Sequence, residues 1–199
     1  MGCVCGEAFG CAAIEMKGAS LARYIAFLRA INVGGHTAKM EHLRQLFESF
    51  GFSHVETFIA SGNVVFETTT KSIPSLETKI ASGLRDALGY EAAAFIRTET
   101  ELAAIAGYRP FPQAALDAAT AFNVAFLAEP PDKSIQQKVA AMQTAIDDFK
   151  IHGREVYWLC RKKQSESTFS NAVLEKTLKV PSTLRGMSTI KKMATKFSL

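Results

Sequence analysis

The residue types best suited to chemistry fall in three short segments. The first is Asn32-Val33-Gly34-Gly35-His36-Thr37, which follows an apolar run and precedes a helix-spaced one. Two adjacent glycines, Gly34 and Gly35, let a backbone approach a ligand closely. The first turn of the following helix offers amide protons without partners, which favours an anion. Arg29 lies just upstream and carries a planar fork that matches phosphate or carboxylate. The pattern is neither G-x-G-x-x-G nor a P-loop. A turn needing positive φ, with Asn32 bonding locally, explains the same residues without a ligand. The second segment is Ser61-Gly62-Asn63. A serine nucleophile needs a base and an oxyanion hole, and no G-x-S-x-G elbow is present. A hairpin turn accounts for Gly62 and Asn63. The third is Arg185 with Ser188 and Thr189, a basic side chain beside a helix start. It reads either as an anion site or as a helix cap with a surface arginine. No catalytic residue is assigned, and whether the chain is an enzyme stays open.

The remaining reactive residues point away from metals and cofactors. His36, His42, His54 and His152 share no ligand spacing, and Cys3, Cys5 and Cys11 have no second Cys or His pair near them. No metal and no cofactor is expected. With Cys160 the only other cysteine, the pattern suits a reducing cytosol rather than a disulfide framework. Trp158 reads as core or interface rather than a stacking platform.

Charge is uneven. The net formal charge is +4, but residues 150–199 hold 11 Lys/Arg against 3 Asp/Glu. Such a block, with Arg161-Lys162-Lys163 inside it, could meet nucleic acid or an acidic partner, or be a solvated helix face. At 48% hydrophobic and 21% charged residues the chain is neither disordered nor a coiled coil. No apolar run approaches the ~18 residues of a membrane helix. Residues 1–22 read as a disordered leader: Glu7 and Glu15 break any signal-peptide run, and Met16 is a second candidate start.

Those segments must be positioned by regular elements. Tyr24–Ala30 is a buried strand. Met40, Leu43, Leu46, Phe47 and Phe50 mark a helix closed by Gly51. Val55–Ala60 and Val64–Thr68 form a hairpin around Ser61-Gly62-Asn63. Ile73 to Leu88 is a second helix, Ala92–Arg97 a fourth strand, and Thr100 caps a short trailing helix. After the connector 108–119 the order restarts. Thr120–Leu127 is a strand, and a helix from Asp132 carries Ile135, Val139, Met142 and Ile146. Asp148–His152 and Glu155–Arg161 form a hairpin, followed by a helix to Leu178, a strand Ser182–Arg185 and a closing helix.

The two halves also match by residue. AFLRAIN at 26–32 sits against AFLAEPP at 125–131, and FIRTETELAAIA at 95–106 against TLRGMSTIKKMA at 183–194. That register pairs Arg97 with Arg185. The fold class is therefore α+β: two tandem ferredoxin-like β-α-β-β-α-β repeats, over 23–107 and 120–199, each with an extra trailing helix and an antiparallel sheet.

Arg29-Ala30-Ile31-Asn32-Val33-Gly34-Gly35 followed by Ser61-Gly62-Asn63-Val64-Val65-Phe66 resembles the bacterial family DUF1697. That family typically shows L-R-G-I-N-V-G-G, a helix, then S-G-N-V-V-F. The likeness runs from about Tyr24 to Lys192. It implies a bacterial, cytoplasmic protein with a duplicated α+β fold and no settled activity. Two motifs depart from the family. Arg109-Pro110-Phe111-Pro112 stands for N-P-F-P, and Arg185-Gly186-Met187-Ser188-Thr189-Ile190 stands for R-N-W-N-T-V, without the Asn-Trp pair.

The leading expectation is a binding protein for an anionic small molecule, with Arg29, Asn32, Gly34, Gly35, Ser61, Asn63, Arg185 and Ser188 as candidate contacts. The alternatives are a nucleic-acid module using the basic C-terminal half and a protein–protein module, as monomer or homodimer. An RNA-recognition reading shares the element order, but Gly62 to Glu67 lacks its third-strand motif.

Overall fold

The computed structural model describes residues 20–31, 38–59 and 62–197. Most of the leader, the glycine loop and Ser61 therefore lie outside the described residues. The elements run β1 (Ala22–Arg29), α1 (Met40–Ser49), β2 (Ser53–Thr57), β3 (Asn63–Thr68), α2 (Ile73–Leu88), β4 (Ala93–Thr98) and α3 (Glu99–Gly107). A short α4 (Gln113–Asp117) sits in the connector. Then come β5 (Ala121–Phe126), α5 (Lys133–Ala140), β6 (Asp147–His152), β7 (Glu155–Cys160), α6 (Asn171–Leu178), β8 (Thr183–Gly186) and α7 (Met187–Phe197). The sheets have orders β2-β3-β1-β4 and β6-β7-β5-β8, with every pairing antiparallel. This is the α+β, tandem ferredoxin-like arrangement.

Side-chain caps set several helix starts. Ser72, Asp132 and Ser170 each accept an amide hydrogen bond from the third residue onward. At α3 the cap is Thr98, not the expected Thr100. The Thr98 hydroxyl accepts from the Glu101 amide at 3.1 Å, and the Glu101 carboxylate accepts from the Thr98 amide at 2.8 Å. Only Thr98 has a glutamate three residues on, which the reciprocal box requires. Helix α5 also ends at Ala140, short of the expected Ile146. There the Thr144 hydroxyl accepts from the Ile146 and Asp147 amides, a local alternative to helical bonding. Ser188, expected as a cap, lies inside the first turn of α7.

Both faces of each sheet are buried, which explains why the central strands read as near-continuous apolar runs. On β1, Tyr24, Ala26 and Leu28 face α1 and α2, while Ile25 and Phe27 face the other half. On β5, Ala125, with Leu127 just beyond the strand, faces α5 and α6, while Val124 and Phe126 face inward. Helices α3 and α7 pack on each other and complete the shared central layer through Leu102, Ile105, Ile190 and Met193. At its middle the rings of Phe27 and Phe126 stack with centroids 3.9 Å apart and planes 11° from parallel. These two residues occupy equivalent places in the AFL repeats, so the contact lies on a pseudo-twofold axis. Among the described residues, no helix is long and apolar enough to cross a membrane.

Phe126→Ala should cost about 3–5 kcal/mol, the usual loss for a fully buried ring. Urea unfolding should stay a single transition, because the central layer belongs to both halves. Two resolved transitions would contradict the shared-core description.

Candidate functional site

The candidate contacts separate into two groups. Arg29, at the end of β1, reaches across to α6. Its Nε donates to Glu175 Oε1 at 2.6 Å and its Nη2 to Glu175 Oε2 at 2.9 Å. Glu175 also accepts from the Ser182 amide at 2.7 Å. Partial burial pushes the Glu175 carboxyl up, but Arg29 and the Ser182 amide outweigh it and hold the group below its ordinary value. The fork read from the sequence as facing a ligand is thus filled by a protein carboxylate. Asn32, Gly34, Gly35 and Ser61 lie outside the described residues.

Arg185 and Asn63 do come together, across the two halves. Arg185 projects from β8 into the central layer. Its Nε donates to Asn63 Oδ1 at 2.6 Å, and its Nη1 to Thr183 Oγ1 at 2.7 Å and the Leu184 carbonyl at 2.8 Å. Its Nη2 donates to the Leu28 carbonyl at 2.7 Å and more weakly to the Gly62 carbonyl at 3.4 Å. Every acceptor is a neutral oxygen. Burial lowers the Arg185 pKa to about 10, so the group stays a cation at neutral pH. Asn63 is itself oriented by its Nδ2, which donates to the Phe58 carbonyl at 3.0 Å. Exposed Ser188 follows three residues on, in the first turn of α7, the end that carries the positive pole of the helix dipole. Ala30 (φ 64) and Ile59 (φ 57), neither of them glycine, hold left-handed backbone near it. Each such residue costs about 1–3 kcal/mol.

The other half repeats this arrangement with two changes, a carboxylate in place of the Asn63 amide and no counterpart to the Thr183 hydroxyl, where the repeat has Phe95. Arg97 on β4 sends Nε to Glu155 Oε1 at 2.6 Å, Nη1 to the Ile96 carbonyl at 2.8 Å, and Nη2 to the Leu127 and Arg154 carbonyls at 2.9 and 3.5 Å. For the other acceptors the correspondence is residue by residue: Leu127 stands for Leu28, Arg154 for Gly62, Ile96 for Leu184, and Glu155 for Asn63. Here the guanidinium meets a carboxylate. Sequence reasoning paired Arg97 with Arg185 but did not see Glu155 or Thr183 as their partners.

The basic run is partly neutralised. Arg161 pairs with Asp148, and Lys162 lies 3.8 Å from Glu166. Among the described residues, no group of His, Cys, Asp and Glu could hold a metal ion.

The Arg97–Glu155 pair is buried on both sides, with side-chain exposures of 0% and 9%. Removing one partner of such a pair strands the other charge. Glu155→Ala should therefore cost about 3–5 kcal/mol, whereas an Arg97→Met/Glu155→Leu double variant should recover most of that. The half-exposed Arg29–Glu175 pair is a milder case, and Glu175→Gln should cost on the order of 1 kcal/mol. Since the folded Glu175 pKa lies below its unfolded value, this contribution is present above about pH 4.3 and lost as pH falls through the folded pKa. Urea titrations at pH 7 and in acid measure both effects.

Comparison with known proteins gives three findings. The family model described as protein of unknown function (DUF1697) matches residues 21–157. A solved structure, that of the conserved bacterial protein SP0830 from Streptococcus pneumoniae, is similar to this chain with a TM-score of 0.71. It is 22% identical, and the match covers 90% of this chain and 100% of that one. A comparison with curated proteins finds no match.

Proposed function

The chain belongs to the DUF1697 family, and from that footing we propose that it binds an anionic small molecule, bearing phosphate or carboxylate, at the corner built around Arg185. One observation carries this reading. Arg185 is a buried guanidinium with no carboxylate among its hydrogen-bond partners, whereas its structural twin Arg97 has Glu155. Buried charges are normally paired, because an uncompensated charge in a low-dielectric layer is costly. Neutral carbonyl and hydroxyl dipoles satisfy the five N–H groups without cancelling the charge. The start of α7, two residues on along the chain, adds positive potential. An anion arriving there supplies the charge that Glu155 supplies internally in the other half. The N–H groups of Arg185 are already engaged, so the ligand's direct contacts fall to exposed Ser188 and the first-turn amides of α7. Arg185 then acts through its field.

The test uses Asn63→Asp, which places a carboxylate where Glu155 stands in the twin. That variant gives up the Asn63 bond to the Phe58 carbonyl, so its own melting temperature is not the readout. The readout is the response to anions. Inorganic phosphate, pyrophosphate and citrate are compared with sodium chloride at equal ionic strength. An anion at about 100 times its Kd should add about 2.7 kcal/mol, several degrees in Tm for a chain of this size. The wild type should show that shift and Asn63→Asp should lose it. No shift beyond the chloride control, or an equal shift in both proteins, would overturn the reading.

A further inference from the structure

A cleft of about 330 Å³ opens on the far side of the shared layer, between α3 and the β6–β7 hairpin. Its walls come from both halves. Glu101, Ala104, Ile105 and Tyr108 belong to the first, and His152, Arg154, Glu155 and Tyr157 to the second. It is distinct from the Arg185 corner and needs none of that corner's groups.

Two polar groups in this cleft are left over by the fold. The first is the Tyr157 hydroxyl. Tyr157 is wholly buried, and its hydroxyl has no hydrogen-bond partner among the described residues. Burial, then the nearby Glu155 carboxylate, raises its pKa, so it is a neutral O–H donor. Packing alone does not require that hydroxyl. The equivalent place in the other half is Val65, which fills the same central layer. Tyr157 sits opposite Val124 on β5, as Val65 sits opposite Ile25 on β1. The second group is Glu155. Arg97 takes its Oε1 at 2.6 Å, while Oε2 makes no hydrogen bond among the described residues and borders Gly153. A donor and an acceptor thus belong to two residues that line one small cleft, without bonding each other.

The surroundings restrict what could use them. Both carboxylates are already compensated, Glu155 by Arg97 and Glu101 by Arg154 at 2.6 Å, so a charged ligand finds no spare counter-charge. The other walls are flat or aliphatic. The Tyr108 ring stacks on His152 at 4.5 Å and leans on Tyr157 at 5.0 Å, with Ala104 and Ile105 beside them. The volume is at the small end of ligand sites. We propose that this cleft binds a neutral, flat heterocycle that carries an N–H donor beside a ring acceptor, as nucleobases and aminopyrimidines do. The N–H donates to Glu155 Oε2, and the ring acceptor accepts a hydrogen bond from the Tyr157 hydroxyl.

Adenine and 2-aminopyrimidine are the probes, titrated against the full chain by calorimetry and ligand-observed NMR. Tyr157→Phe deletes only the hydroxyl. Its Tm should equal or exceed that of the wild type, because the lost group had no partner, while affinity for the probes should fall about tenfold or more. Ala104→Leu, on the exposed side of α3, should block the cleft without touching either polar group. Binding that weakens in both variants supports the proposal. Failure of both probes to bind, or equal binding by wild type and variants, overturns it. Competition by inorganic phosphate would place the probe at the Arg185 corner and would also overturn it.

Discussion

Two arginines exchanged across a stacked pair of phenylalanines hold this molecule together. Each half is a four-stranded sheet whose inner face is apolar and too large to leave wet. Phe27 and Phe126 meet on the local axis and set the separation of the two faces. Arg97 and Arg185 then reach from the edge strand of one half to the other half, where they bond carbonyl oxygens at the end of its first strand. A guanidinium suits this role because its planar donors can serve several acceptors at once. Without the exchange, the Leu28 and Leu127 carbonyls would lose these partners at a dry interface, at a cost comparable to a lost hydrogen bond.

The differences between the halves matter because the repeat is otherwise so close. Glu155 faces Arg97 where Asn63 faces Arg185, and Tyr157 stands where Val65 stands. Neither change is demanded by the shared packing, since each version buries well in its own half. Both changes fall at the layer where the halves touch, and each leaves an electrostatic need unmet: an uncompensated cation on one side, an idle hydroxyl on the other. The anion reading and the heterocycle reading rest on these separate needs. One can therefore fail without the other.

Much of the architecture was legible because it follows from local rules. Short apolar runs at β1 and β5, glycine stops such as Gly89, and turn residues at 61–63 and 153–154 mark the elements directly. Misplaced ends have local causes too. Thr98 outranked Thr100 through Glu101, and Thr144 diverted the chain before Ile146 could join α5. The site was harder to read. The repeat register paired Arg97 with Arg185, yet their partners lie on hairpins of unequal length. Five residues separate β2 from β3 and two separate β6 from β7, so Asn63 and Glu155 never align in one dimension. Arg29 misled for the opposite reason. Its sequence neighbours suggested an anion, while its actual partner, Glu175, is 146 positions away.

The exchange also bears on how such a molecule can change over time. In a dimer of identical halves, one codon would specify both copies of every axis-related position, and no glutamate could become asparagine on one side alone. Joined in a single chain, the two positions mutate independently. Position 155 can keep neutralising its arginine and preserve the scaffold while position 63 is released to acquire a new task. A single chain can thus carry Glu155 beside Arg97 and Asn63 beside Arg185, an asymmetry of charge across the plane where Phe27 meets Phe126 that no pair of identical halves could hold.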